Sequence, residues 1–482
     1  MKIRFLLLFF ITYSAVTSAA WAQSPIENIL KGMATEVDYL INAQESAALY
    51  ERTTTDFQSQ LSASQFEKIM SQVYSLGKIE SWQLDSLIAK DKKGVFSLEF
   101  KETALEMIMG VEEDGSINYL TFAPKEKRIQ KEIIEDDPAS VQDIRDKDQS
   151  PLLETIESLA KTFVQKHASS ELAIGLLHDN QIHRLVFLNE EGKTRSTDDT
   201  ETLFELGGLS HLFVATLAAR LAQEESLDLD ETISSYLPDS VQSNPSLKQI
   251  TFRNLADYST GFPSLEMAHP DINENVASYQ KLSYKDIFTF LKNINIKEEE
   301  YPISSFNYLD YALLTTVLEK QQEKSFTSLL EELVFNELNM EDTHFLKDIK
   351  SEKLSSVYKE GKEVKRLQFE ALNNSLGLQS SLEDLISFAR AQLLFPESTL
   401  QKGMTLTREF SNFDEDNQVV GLGWLSNMNE GIVYYFSKGK TEGSGALISV
   451  IPDTKSALII LSNTQMDAHS FAQPIIEKIM KE

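Results

Sequence analysis

Leu203-Phe204-Glu205-Leu206-Gly207-Gly208-Leu209-Ser210-His211-Leu212-Phe213-Val214-Ala215-Thr216-Leu217-Ala218 is the stretch on which the fold turns. It reads as the opening of a helix. Positions 208 and 211 are three apart and share a helix face, whereas Ser210 falls about 200° around from Gly208, so its hydroxyl is expected to face the other way. A long helical stretch follows, and strands return near Gly421–Leu425, Ile432–Phe436, Ala446–Ile451 and Ser456–Leu461. Upstream, Glu154–Lys166 reads as a helix, and Leu172–Leu177 with Ile182–Leu188 as a hairpin across Asp179-Asn180. Strands at both ends with helices between them predict one antiparallel sheet closed by the N- and C-terminal segments and covered by a helical subdomain.

Further out, residues 24–123 carry a different pattern. Ser62-Ala63-Ser64-Gln65 has the form of a capping box before a helix with Phe66, Ile69, Met70 and Val73 on one face. Alternating segments follow at Ile79–Ala89, Val95–Phe100, Leu105–Val111 and Ile117–Phe122, with hairpin signals at Asp91-Lys92-Lys93-Gly94 and Glu112-Glu113-Asp114-Gly115. The order predicts a small α+β domain of helix laid on antiparallel sheet, similar to cystatin-like or NTF2-like modules. Residues 124–149 are dense in charge and poor in aromatic side chains, which predicts a solvated linker before a second domain at 150–482.

The chain begins with Lys2 and Arg4, an apolar run from Phe5 to Tyr13, and Ala20-Trp21-Ala22 before Gln23. That is the pattern of a secretory signal at 1–22 cleaved after Ala22, and it predicts a periplasmic or secreted protein with no membrane insertion after cleavage. The formal charge is -29, and loss of Lys2 and Arg4 with the leader makes it -31. Such a balance repels phosphate backbones, so nucleic acid is excluded as a partner. The sequence has no cysteine, which excludes structural disulfides and a lipid-modified cysteine.

Further blocks extend the opening stretch: Leu227-Asp228-Leu229-Asp230-Glu231, Tyr236-Leu237-Pro238, Ile250-Thr251-Phe252-Arg253-Asn254-Leu255 and Ser259-Thr260-Gly261-Phe262-Pro263. Asp310-Tyr311-Ala312-Leu313-Leu314, Leu338-Asn339-Met340-Glu341-Asp342-Thr343, Gly421-Leu422-Gly423-Trp424 and Leu458–Asn463 complete the set. In order and spacing these blocks resemble the serine β-lactamase and penicillin-binding family, in its branch of class C β-lactamases, D-alanyl-D-alanine carboxypeptidases and esterases. The resemblance spans the whole C-terminal domain.

It implies three motifs. The first, S-x-x-K, places a serine nucleophile and its base on one helix face at an N-terminus. Here Gly208 stands at the serine and His211 at the lysine. A glycine cannot be acylated. Ser210 would have to substitute, and His211 is either a neutral-pH base or a plain packing residue of the cleft. The second motif, Y-x-N, falls on Phe306-Asn307-Tyr308 when Tyr311 anchors the register, and a phenyl ring relays no proton. A two-residue slip offers Tyr308-Leu309-Asp310 instead. The third, K/H-T-G, falls on Lys440-Thr441-Glu442. Lys440 and Thr441 would hold a ligand carboxylate, Glu442 would add bulk and negative charge, and the N–H groups of Gly443 and Gly208 would form a two-donor oxyanion pocket.

Other chemistry finds no support. Gly439-Lys440-Thr441 mimics the end of a phosphate loop, but Tyr434 stands where that motif needs its first glycine. Seven histidines without an i,i+4 pair, and no cysteine, predict no metal and no cofactor. Three functional classes stay open. One is a catalytically impaired pseudoenzyme that binds a peptidoglycan-like or small acyl ligand, or a protein partner, in the ancestral cleft. Another is an active serine hydrolase with a non-standard nucleophile, Ser210, Tyr308 or Thr441. The third is an interaction protein whose N-terminal module does the work.

Overall fold

The computed structural model describes residues 25–482 apart from 89–91, 102, 113, 126–141, 144–149, 191, 269–270, 274, 297–302, 347–352, 416–417, 430–431 and 482. The expected signal segment at 1–22 and most of the charged 124–149 stretch lie outside the described residues. Two compact units emerge: residues up to Lys101 with Glu106–Phe122, and the remainder of the chain.

In the first unit the helices Pro25–Asn42 and Ala63–Ser75, with two short ones between, precede a four-stranded sheet of Ile79–Ile88, Lys93–Phe100, Ala104–Val111 and Ile117–Lys125 in that order. Phe66, Met70 and Val73 are buried together with Leu30, Val37, Phe96, Leu98, Met107 and Met109. The three-and-four spacing of the second long helix therefore marks its core face.

The second unit is built on one ten-stranded sheet. Its order runs Asn412–Phe413, Val419–Val420, Leu425–Asn429, Ile432–Lys440, Gly445–Ile451, Ser456–Ser462, Glu171–His178 and Gln181–Glu190, so the last long strand pairs with the first. Asp179 and Asn180 both have positive φ, 54° and 59°, the geometry a two-residue hairpin turn requires. Two edge pieces were not expected. Lys193–Thr197 adds a strand to Gln181–Glu190, and Gln142–Asp143, in the stretch expected to be linker, pairs in parallel with Gln181 and Ile182.

Both sheet faces are covered. Leu458 and Ile460 pack with Leu152, Ile156 and Ile475 from the helices Pro151–Lys166 and Ala468–Ile479. Ala457, Ile459 and Leu461 alternate with them and face the larger core, which holds the helices Ser210–Gln223, Tyr308–Gln322 and Leu382–Leu393. Burial on both faces explains the unbroken apolar run of Ser456–Ser462, all of it buried. Helix Ser210–Gln223 is buried on every side from Ser210 to Leu221, as its lack of a polar face requires.

One strand is corrected. Gly421–Trp424 is not strand but the connection between Val419–Val420 and Leu425–Asn429, which begins at the last residue of the expected strand. A Cβ on Gly421 would sit 2.4 Å from the Thr407 carbonyl, and Gly423 has φ +75°, so backbone contact and handedness rather than side-chain alternation decide this segment.

Candidate functional site

Gly207–Leu209 form a single 3₁₀ turn that runs straight into helix Ser210–Gln223. Gly207 has φ +53°, and the N and O of Lys440 lie 3.2 and 3.1 Å from where its Cβ would be. The turn is thus pressed against the end of the Ile432–Lys440 strand. Contact is tightest at Gly439, where a Cβ would fall 1.8 Å from the Leu206 carbonyl, 2.6 Å from Leu209 N and 3.0 Å from Gly208 N. Only glycine fits there.

Gly208 is different. A Cβ on it would meet Lys438 O at 3.4 Å, Gly439 Cα at 3.8 Å and Phe306 Cζ at 3.8 Å, all ordinary contacts. A Cβ is accommodated at this position, and none is present.

His211, three residues on, is fully buried. Its ring lies parallel to Tyr311 at 4.1 Å and 2°, with Phe306 stacked at 5.5 Å and Tyr308 edge-on at 6.1 Å. Nδ1 is 2.9 Å from the Tyr258 hydroxyl, and Nε2 has no partner. Loss of water around the imidazole holds its pKa down at about 3, so the ring is neutral. Burial likewise drives the Tyr258 and Tyr311 hydroxyls far above their usual range. Tyr258 adopts φ +60°, an uncommon conformation for an aromatic residue, and the Tyr311 hydroxyl donates to the Ala256 carbonyl at 2.6 Å. His211 is therefore a packing residue of an aromatic cluster.

Phe306 sits at the mouth of that cluster, 56% exposed. Asn307 caps helix Tyr308–Gln322 by accepting from Leu309 N, and Asp310 is buried inside it, accepting from Thr260 Oγ1 at 2.9 Å. Phe306, like Tyr311, stacks on His211, and its ring lies 3.8 Å from where a Gly208 Cβ would be. Burial pushes the Asp310 carboxyl well above its normal range.

Ser210 Oγ is wholly buried and has no hydrogen-bond partner. The Thr441 hydroxyl is not available to a ligand: it is buried, donates to Glu205 Oε2 at 2.6 Å and shares a bond with Ser444. Gly443 N–H is spent on Thr441 Oγ1 at 3.2 Å, so it does not pair with Gly208 N–H as an oxyanion donor. Glu442 turns to Lys359 at 2.8 Å and Asn275 at 2.9 Å, and its charge is compensated. These contacts move the strand that faces Gly208 three residues back, to Ser437-Lys438-Gly439. Lys440 contributes its backbone edge, while its side chain is exposed.

The sequence reading gave no site role to Tyr258, Tyr311 or Gly439. A usable signal existed for the last: Ser437 and Gly439 alternate with exposed Lys438 and Lys440, so the glycine shares the inward face. Among the described residues no group of acidic and histidine side chains is placed to hold a metal.

The Beta-lactamase family model matches residues 156–476, about two thirds of the sequence. The chain belongs to that family. It is 24% identical over 296 residues to a β-lactamase of Providencia stuartii, covering 54% of this chain and 74% of that one. A β-lactamase of Psychrobacter immobilis is 22% identical over 350 residues, covering 65% and 83%. Among solved structures, a class C β-lactamase superposes with TM-score 0.58 at 18% identity, covering 71% of this chain and 99% of its own. The class C β-lactamase of Rhodobacter sphaeroides gives TM-score 0.55 at 17% identity, covering 67% and 99%.

Proposed function

We propose that this chain is an exported, non-acylating member of the β-lactamase family, and that its cleft holds a cell-wall-like or acyl ligand, or a protein partner, without covalent turnover. One observation carries the reading: the position facing the strand edge, Gly208, would accommodate a Cβ in ordinary contact and carries no side chain. Its neighbours supply no substitute. Ser210 Oγ is sealed in the core, His211 is neutral and walled in by rings, and Phe306 has no proton to relay. What survives is the backbone of the turn and of the strand edge at Lys440, which binds without reacting.

A fluorescent penicillin tests this directly. The expected result is no adduct surviving denaturation, with reversible binding seen by polarisation or by protection of the cleft from hydrogen exchange. Stoichiometric covalent labelling would reject the proposal, and labelling abolished by Ser210→Ala would identify the nucleophile.

A further inference from the structure

A cavity of about 380 Å³ opens between the start of helix Tyr284–Asn293 and the segment 368–374. Tyr284, Gln368, Phe369, Glu370, Asn373 and Asn374 are among the residues that line it, and it shares none of its lining with the Gly208 site. The fold fixes both sides. Gln368 N donates to Gln280 Oε1 at 2.9 Å and Ala371 N to Leu282 O at 3.4 Å, so the two segments are tied directly to each other. Gly377 N bonds the Asn373 carbonyl at 2.8 Å, a capping box of Ser283 and Asp286 sets the helix start at Tyr284, and Leu282, Ala371 and Leu372 are buried.

The lining has two halves. Tyr284 and Phe369 are half-buried rings with apolar faces, while the amides of Gln368, Asn373 and Asn374 both donate and accept, and Glu370 accepts. Among the described lining residues there is no Lys, Arg or His. Burial, then the charges of Glu319 and Glu370, raise the Tyr284 hydroxyl, which stays an O–H able to donate and accept. A phosphate or carboxylate would meet those two like charges and no cation. A quaternary ammonium would suit the rings and Glu370 but leave three amides unused. A sugar ring matches both halves: its C–H face rests on an aromatic face, and its hydroxyls, donors and acceptors at once, pair with amides and carboxylate.

We propose that this cavity is a binding site for a neutral sugar, separate from the Gly208 cleft. Its volume, about 380 Å³, lies at the small end of the roughly 300–1,000 Å³ found for small-molecule sites, which limits the occupant to a short saccharide.

Saturation-transfer NMR of the full chain with methyl β-D-glucopyranoside and N-acetylglucosamine reads this out, with choline and inorganic phosphate as the cationic and anionic probes. At least one sugar is expected to bind saturably with Kd on the order of 1 mM, and more tightly than choline or phosphate. Gln368→Ala combined with Asn374→Ala truncates two side chains outside the core and should weaken the sugar by at least about fivefold. Glu370→Gln keeps an acceptor and should change sugar affinity by less than about threefold, whereas it would abolish an ammonium site. Thermal melting checks that each variant folds. No saturable sugar binding at about tenfold the expected Kd, sugar binding untouched by the double variant, or tighter binding of choline or phosphate overturns the proposal. The fluorescent penicillin reports on the Gly208 cleft alone, so either reading can fail without the other.

Discussion

Gly439 and Gly208 meet backbone to backbone, with the absent Cβ of Gly439 lying 3.0 Å from Gly208 N, yet the reverse direction is open. The two glycines should therefore respond oppositely to substitution. Gly439→Ala is expected to cost about 1–3 kcal/mol by overpacking, or more if the turn is displaced, whereas Gly208→Ala should change stability by less than about 1 kcal/mol. Urea unfolding of the two variants decides it, and equal losses would show that the turn does not hold the described contact.

Refilling the slot is the chemical counterpart. Gly208→Ser with His211→Lys places a hydroxyl and an amine on one helix face, in surroundings that lower the His211 pKa by desolvation and should keep a lysine deprotonated too. Slow acylation by a fluorescent penicillin is expected in the double variant and none in the parent. An inert double variant that still folds would mean that Phe306 alone blocks the chemistry.

His211 makes stability depend on acid. The unfolded chain takes up a proton near pH 6.5, while the folded chain refuses it until about 3, so the group costs nothing above that window and withdraws stability as pH falls through it. The loss is at most about 1.4 kcal/mol per unit. Wild type should lose roughly 2 kcal/mol more than His211→Phe between pH 7 and 5. By NMR the His211 ring should not titrate between pH 5 and 8; a midpoint near 6.5 would refute its burial.

Ser210→Ala removes a buried hydroxyl that has no partner. Deleting an unpaired polar atom usually leaves stability unchanged or raises it slightly, within about 1 kcal/mol. A marked loss in thermal denaturation would show that Ser210 Oγ has a partner in solution.

Much of this architecture is legible in the sequence because burial writes it there. The unbroken apolar run at Ser456–Ser462 and the three-and-four spacing of Phe66, Met70 and Val73 each follow from which faces are covered. The first two motifs were read from residues beside helix starts, Gly208 before Ser210–Gln223 and Phe306 before Tyr308–Gln322. The third was misplaced because residue type favours Lys440-Thr441, while geometry selects a glycine for what presses against it. That pressure comes from Leu206 and Leu209, more than 220 positions away, and has no local signature. Nor does the Thr441 hydroxyl advertise that Glu205 will claim it.

Trp424 is buried to 1%, with its indole N–H donating to Thr407 Oγ1 at 3.1 Å, and Trp82 stacks edge-on against Phe96 in the first unit. Apart from Trp21 these are the tryptophans of the chain. Each unit thus carries its own intrinsic fluorophore. Trp82→Phe silences one channel and leaves the other, so emission from a chain with Trp21→Phe separates the melting of the small unit from that of the cleft-bearing unit without any added dye.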